Sequence, residues 1–299
     1  MKKLFKVKIL PLLLIAVLAF SFTACGGTNT PAPDNSGTTP PPTQGGGETT
    51  PPPRQEAPVQ PITTGEQWHG VMMDTIRELF YIQGDTRFNK TNKNFQLTQT
   101  FTEEWSDGTT DFRRAEFSVD TNKLRHKFEG TYGLWDEYLE FISLFENNIL
   151  NGSFLYEYYR EEPYDAFYRS TDSYWADYFI DSVSLSSVED IDFVEGIDLP
   201  IVLWHIRSRF EWFEFRGGKY FLKNQRLPQM QEYLGYSENY FTLKEMYYKV
   251  TDGKVSEYGA VLDYYYDGWN AVYSSKDTYV TTISYGTASI TIPTNFINI

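Results

Sequence analysis

The sequence predicts an α+β fold: one large, curled antiparallel sheet, a half-barrel, with two or three amphipathic helices covering its concave face. Three observations carry that expectation. Alternating apolar and polar segments recur from residue 95 to residue 292, several joined by Asp-Gly pairs that tolerate the positive φ of a tight hairpin. Two stretches, residues 68–80 and 134–149, instead carry apolar residues at helical spacing. Aromatic residues make up 17% of the chain, enough large side chains to fill a layer between sheet and helices.

The chain opens with Lys2, Lys3, Lys6 and Lys8, then an apolar run over residues 9–22 that ends in small residues before Cys25. That is the layout of a secretory signal, and the run is too short to span a bilayer. Phe22-Thr23-Ala24-Cys25 resembles the lipobox of bacterial lipoproteins, with Phe22 where that pattern commonly has leucine. The resemblance implies that residues 1–24 are removed, that Cys25 becomes the first residue, and that its thiol is lipidated. Cys25 is the only cysteine, so no disulfide, cysteine nucleophile or thiolate metal site is available.

Residues 25–65 form a Thr/Pro/Gly-rich linker holding ten of the fifteen prolines, and such a composition cannot build a core. At this length it reaches roughly 35 Å as a flexible coil. Beyond it, residues 66–299 are expected to form a single folded domain. Removing residues 1–24 leaves 22 basic against 40 acidic side chains, a net charge of −18. An acidic balance of that size disfavours nucleic acid and anionic headgroups, since both contacts need Lys and Arg.

Within the body, Trp68, Val71, Met72, Ile76, Leu79 and Phe80 mark one buried helical stripe. Strands follow around the Asp107-Gly108 turn and over residues 123–129. A second helix is expected over residues 134–149, from Leu134, Tyr138, Phe141, Ile142, Phe145 and Ile149 to a stop at Asn151-Gly152. Residues 154–160 and 166–175 read as strands, residues 182–197 as an irregular acidic segment, residues 201–210 as a short helix behind Pro200, and two strands meet at Gly217-Gly218. The last sixty residues form a meander turning at Asp252-Gly253 and Asp267-Gly268, with a final strand over residues 288–292 that points Ala288, Ile290 and Ile292 inward.

This order, ending in Tyr285-Gly286-Thr287-Ala288-Ser289-Ile290-Thr291-Ile292-Pro293, resembles the half-barrel of the LolA and LppX type of envelope lipoproteins. The resemblance implies a lipid or lipid-anchor site between sheet and helices. The expected groove sets Tyr258, Leu262, Tyr264 and Tyr266 on the sheet against Phe141 and Phe145 on the second helix. No zinc helix, nucleophile elbow, phosphate loop or dinucleotide fingerprint is present. His69, His126 and His205 sit in no recognisable catalytic setting, and acid pairs such as Glu103-Glu104 read mainly as solvated surface. Asp190, Asp192, Glu195 and Asp198 lack calcium-loop spacing. The expectation is a non-enzymatic, membrane-anchored extracytoplasmic lipoprotein on the cell membrane, without cofactor or metal, that carries an amphiphilic or lipid-like ligand. An envelope interaction protein without a small-molecule ligand is the alternative, and a carbohydrate-active hydrolase stands third.

Overall fold

A computed structural model describes residues 61–132, 135–150, 152–173, 176–177, 180, 184–185, 203–234, 241–267 and 272–299. Two units divide the chain, Met1–Gln55 and Glu56–Ile299, and every described residue falls in the second. The fold is α+β, with a twelve-stranded sheet that is not closed into a barrel.

Helix α1 (Gly65–Leu79) begins where the sequence places it. Thr64 accepts from the Gln67 amide at 3.2 Å and the Gln67 carboxamide oxygen accepts from the Thr64 amide at 3.2 Å, a reciprocal cap that satisfies two otherwise orphaned donors. Its inner stripe, including Trp68, Met72, Ile76 and Leu79, is fully buried. Thr75 fastens the helix to the sheet: its hydroxyl donates to the Val71 carbonyl at 2.8 Å and accepts from the Val255 amide at 2.9 Å.

The first run of strands is a meander: β2 (Asn94–Trp105), β3 (Thr110–Asp120), β4 (Lys123–Tyr132), β5 (Trp135–Phe145), β6 (Phe154–Arg160) and β7 (Phe167–Ser170), each antiparallel to the last. Ahead of it, β1 (Tyr81–Ile82) pairs in parallel with β8 (Ser184–Leu185) in a separate small sheet. A second meander comprises β9 (Phe213–Arg216), β10 (Lys219–Leu222), β11 (Phe241–Thr251), β12 (Lys254–Asp267) and β13 (Val272–Tyr285). The two meet in one antiparallel seam, β2 on β13, running from Phe95↔Tyr285 to Trp105↔Ser275. A final strand, β14 (Phe296–Asn298), adds in parallel to the β7 edge, so the sheet is mixed at one margin. The Asp252-Gly253 turn has both residues at positive φ, 51° and 74°, as a two-residue hairpin turn requires.

Helix α2 (Leu203–Ile206) is a single turn, and α3 (Leu227–Tyr233) is short, with Pro228 in its first turn. The helix expected over residues 201–210 is therefore reduced to that turn, followed by a 3-10 turn at Phe210–Trp212.

Residues 134–149 do not form a helix. Phe141 and Phe145 stand on β5, and the helical spacing comes from a strand buried on both sides. Phe141 faces the main core, while Ile142 on the opposite face packs with Tyr158 and Ile290 in a second, smaller cluster. Alternating residues on two apolar faces imitate the i, i+3, i+4 pattern, and β-branched and aromatic side chains favour the strand. Residues 288–292 likewise form no strand. They cross the outer face as a strap: Asn94 exchanges two 2.8 Å hydrogen bonds with the Ala288 backbone, and Ala288 and Ile290 are buried beneath it.

Candidate functional site

The main core occupies one sheet face, where α1 packs over the β2–β13 seam and its neighbours. Trp68 is its hub: the indole lies 4.8 Å from the Phe213 ring and 5.3 Å from that of Tyr220, and its Nε1 donates to the Ile206 carbonyl at 2.8 Å. This holds α2 against the side of α1.

Between those helices and the loop after β1 lies an open cleft of about 600 Å³. Helix α1 contributes His69 and Met73, β1 contributes Ile82, the loop contributes Gln83, Gly84, Asp85, Arg87 and Phe88, and Trp204 and Arg207 close the other side. Gly84 turns the loop at φ 76°, a conformation in which a side chain would be strained. The two arginines differ in electrostatic state. Arg87 binds Asp85 through two nitrogens, Nη2 at 2.5 Å and Nε at 2.9 Å, and holds that carboxyl below its ordinary pKa. Arg207 has no carboxylate within ion-pair distance among the described residues. Its guanidinium carbon lies 3.4 Å from the centre of the Trp204 ring, and its Nη1 donates to the Trp204 carbonyl. Burial lowers its pKa, so desolvation is offset by no counter-charge there. An arginine held over an indole, with Nη1 already donating to Trp204, keeps its remaining N–H groups for a carboxylate or phosphate.

A second arrangement lies farther along the core face. Asp111, Glu103 and Asp277 stand side by side on β3, β2 and β13, directly opposite one another in the ladders. Ser275 Oγ donates to Asp277 at 2.7 Å and lies 3.4 Å from Glu103, Trp105 Nε1 donates to Asp111 at 3.1 Å, and Arg113 approaches Glu103 at 3.5 Å. Burial and the neighbouring Asp277 charge push Glu103 up to about 7, and burial raises Asp277 as well. Among the described residues no group of three or more His, Asp or Glu side chains is arranged to hold a metal ion. Glu104, the sequence neighbour of Glu103, points to the other face and meets Lys276 at 3.6 Å.

Of the expected groove residues, Phe141, Phe145, Tyr258 and Leu262 all belong to the main core. Phe141 stands on β5 and Tyr258 on β12, five ladders apart in the sheet order. Phe141, Phe145, Tyr258 and Leu262 are packed into the core, Tyr264 is half-buried against Phe241, and the Tyr266 side chain lies outside the described residues. None of them lines the cleft. A groove between a helical stripe and the sheet is therefore not what these six build. Cys25 and the acidic residues Asp190, Asp192, Glu195 and Asp198 lie outside the described residues.

Of the histidines, His126 is half-buried and stacked beside Phe141, and burial lowers its pKa to about 4, so it is neutral at physiological pH. His205 stacks on Tyr233 at 5.1 Å, and His69 is exposed at the cleft. Sequence reasoning missed the cleft, whose walls come from segments more than a hundred residues apart. It missed the carboxylate row for the same reason. The only local signal was Trp204 three residues before Arg207. No helix among the described residues is long and apolar enough to cross a membrane. No family model and no curated protein matches the chain.

Proposed function

We propose that this is a lipid-anchored extracytoplasmic binding protein, held to the cell membrane through Cys25, whose cleft takes an amphiphilic anion. The observation that carries the ligand class is the state of Arg207: a partly desolvated guanidinium on the Trp204 face, without a carboxylate partner among the described residues, beside apolar Met73, Ile82 and Phe88. A charged head on Arg207 matches this lining, while Met73, Ile82 and Phe88, at 9%, 3% and 1% exposed, give a tail only the rim of the core. The cleft volume falls within the range of about 300–1,000 Å³ usual for small-molecule sites. The cation in the cleft suits binding of an anion.

Calorimetric titration of the processed chain with dodecyl phosphate, laurate and dodecanol tests the reading. The two anions should bind with a negative heat-capacity change and dodecanol more weakly. Arg207→Ala should weaken the anions by about ten- to a hundredfold, the worth of a charge-assisted hydrogen bond, and leave dodecanol unchanged. Equal affinity for all three probes, or no effect of Arg207→Ala, would overturn it. Release of the protein from membranes by Cys25→Ser tests the anchor separately.

A further inference from the structure

We infer that the aromatic-basic face around Trp212 docks on anionic phospholipid headgroups of the membrane that carries the anchor. The choice of membrane rests on the anchoring role proposed for Cys25 and owes nothing to the cleft.

The first observation is the charge distribution. In a chain of net charge −14, residues 203–233 hold Arg207, Arg209, Arg216, Lys219, Lys223 and Arg226 against Glu211, Glu214 and Glu232. The pairing within this segment is uneven. Arg216 meets Glu214 and Glu245, and Lys219 meets Glu257 at 2.6 Å. Arg209, Lys223 and Arg226 have no carboxylate within ion-pair distance among the described residues. Most other surface cations, such as Arg77, Lys90, Arg125, Lys127, Lys244 and Lys276, do have one.

These three unmatched cations converge on one indole. The guanidinium carbons of Arg209 and Arg226 lie 5.4 and 5.3 Å from the Trp212 ring centre, and Lys223 Nζ donates to the Glu211 carbonyl at 2.6 Å beside it. Trp212 stacks on Tyr233 at 6.0 Å and 10°, and Tyr233 is 41% exposed. Trp212 itself is core, 5% exposed, so the ring that can meet a headgroup layer is Tyr233, with the cations on long stems beside it to reach phosphates.

Position supplies the second argument. The chain enters the described body at this end. The Ile62 amide donates to the Tyr220 hydroxyl, and Trp68 in the first turn of α1 packs on Phe210, Phe213 and Tyr220. Cys25 lies fewer than forty residues before Ile62, so an anchored body is presented to its own membrane at high effective concentration. The acidic remainder does not forbid contact, because at physiological salt a charge is screened beyond about 8 Å. The whole-chain charge that argues against anionic surfaces therefore does not describe this face.

The test uses the processed chain, residue 25 onward, carrying Cys25→Ser, with vesicles of phosphatidylglycerol mixed with phosphatidylcholine and vesicles of phosphatidylcholine alone. Cosedimentation is expected with the anionic vesicles only, falling as salt is raised. Combining Arg209→Gln, Lys223→Gln and Arg226→Gln should lower the partition at least tenfold, while Lys244→Gln with Lys276→Gln leaves it unchanged. Near-UV circular dichroism checks folding. If the triple variant does not fold, the exposed Arg209→Gln alone should still reduce binding and flatten its salt dependence. Equal binding to neutral vesicles, no loss in the Trp212-face variants, or full competition by inorganic phosphate would overturn the inference, the last by indicating a soluble-anion site. A native chain found without lipid by mass spectrometry would remove the anchor while leaving a positive vesicle result standing.

Discussion

Glu103 and Asp277 face each other directly across the seam between β2 and β13, 8% and 4% exposed, with the Ser275 hydroxyl between them. Two carboxylates placed opposite in a ladder repel when both are ionised, and burial removes the water that would screen them.

The first prediction follows from Glu103, whose folded pKa of about 7 stands above its ordinary 4.5. For a carboxyl raised on folding, the favourable contribution is present in full below the unfolded pKa and is lost as pH rises through the folded one. Stability should therefore fall between about pH 4.5 and 7 from this group, by on the order of 2–3 kcal/mol. Glu103→Gln should stabilise the protein at pH 7.5 and have little effect near pH 4.5. Urea midpoints at the two pH values check this, and a destabilised Gln variant at pH 7.5 would contradict it.

Lys93 gives a second prediction. It is 1% exposed, its Nζ donates to the Arg77 carbonyl in the last turn of α1 and sits 4.6 Å from the Tyr81 ring centre, and burial lowers its pKa to about 7. Here the folded value lies below the unfolded 10.5, so the penalty is absent above pH 10.5, grows as pH falls towards 7, and is constant below. Lys93→Met should therefore raise stability more at pH 6 than at pH 10. At pH 10 the lost bond to the helix end dominates and the variant should be neutral or slightly worse. A larger gain at pH 10 would reverse the assignment.

The strap offers a third. Ile290 fills the space between Ile142 and Tyr158, so Ile290→Ala should destabilise by about 2–3 kcal/mol through transfer and cavity losses. Amide exchange should accelerate in β5 and β6 and stay unchanged in β11 and β12. A loss below about 0.5 kcal/mol would mean the strap is peripheral.

Much of this architecture was legible in local sequence. Helix α1 declared itself through one stripe, and the hairpins through Asp107-Gly108 and Asp252-Gly253. The failures share one cause. Leu134 to Ile149 read as a helix because nothing local reveals that residues 288–292, far along the chain, cover the outer face of β5 and make Ile142 a core residue. The same strap read as a strand because its alternation is real, with Ala288 and Ile290 facing inward, although inward there means the opposite side of the sheet. Asp111, Glu103 and Asp277 are ordinary acids in sequence and become a row only through registers that local pattern does not supply.

The seam between β2 and β13 also sets a timetable. Each meander can grow strand by strand from neighbouring hairpins, but their union pairs Phe95 with Tyr285, and closing a loop of that size carries an entropy charge that local hairpins avoid. Contacts so distant in sequence slow folding, and none of them can exist until the chain has been made past residue 285. A newborn molecule therefore passes most of its synthesis with only its first meander made and the core face of β2 uncovered. For a chain expected to leave the cytoplasm, that delay is useful: a sheet that cannot close early remains threadable.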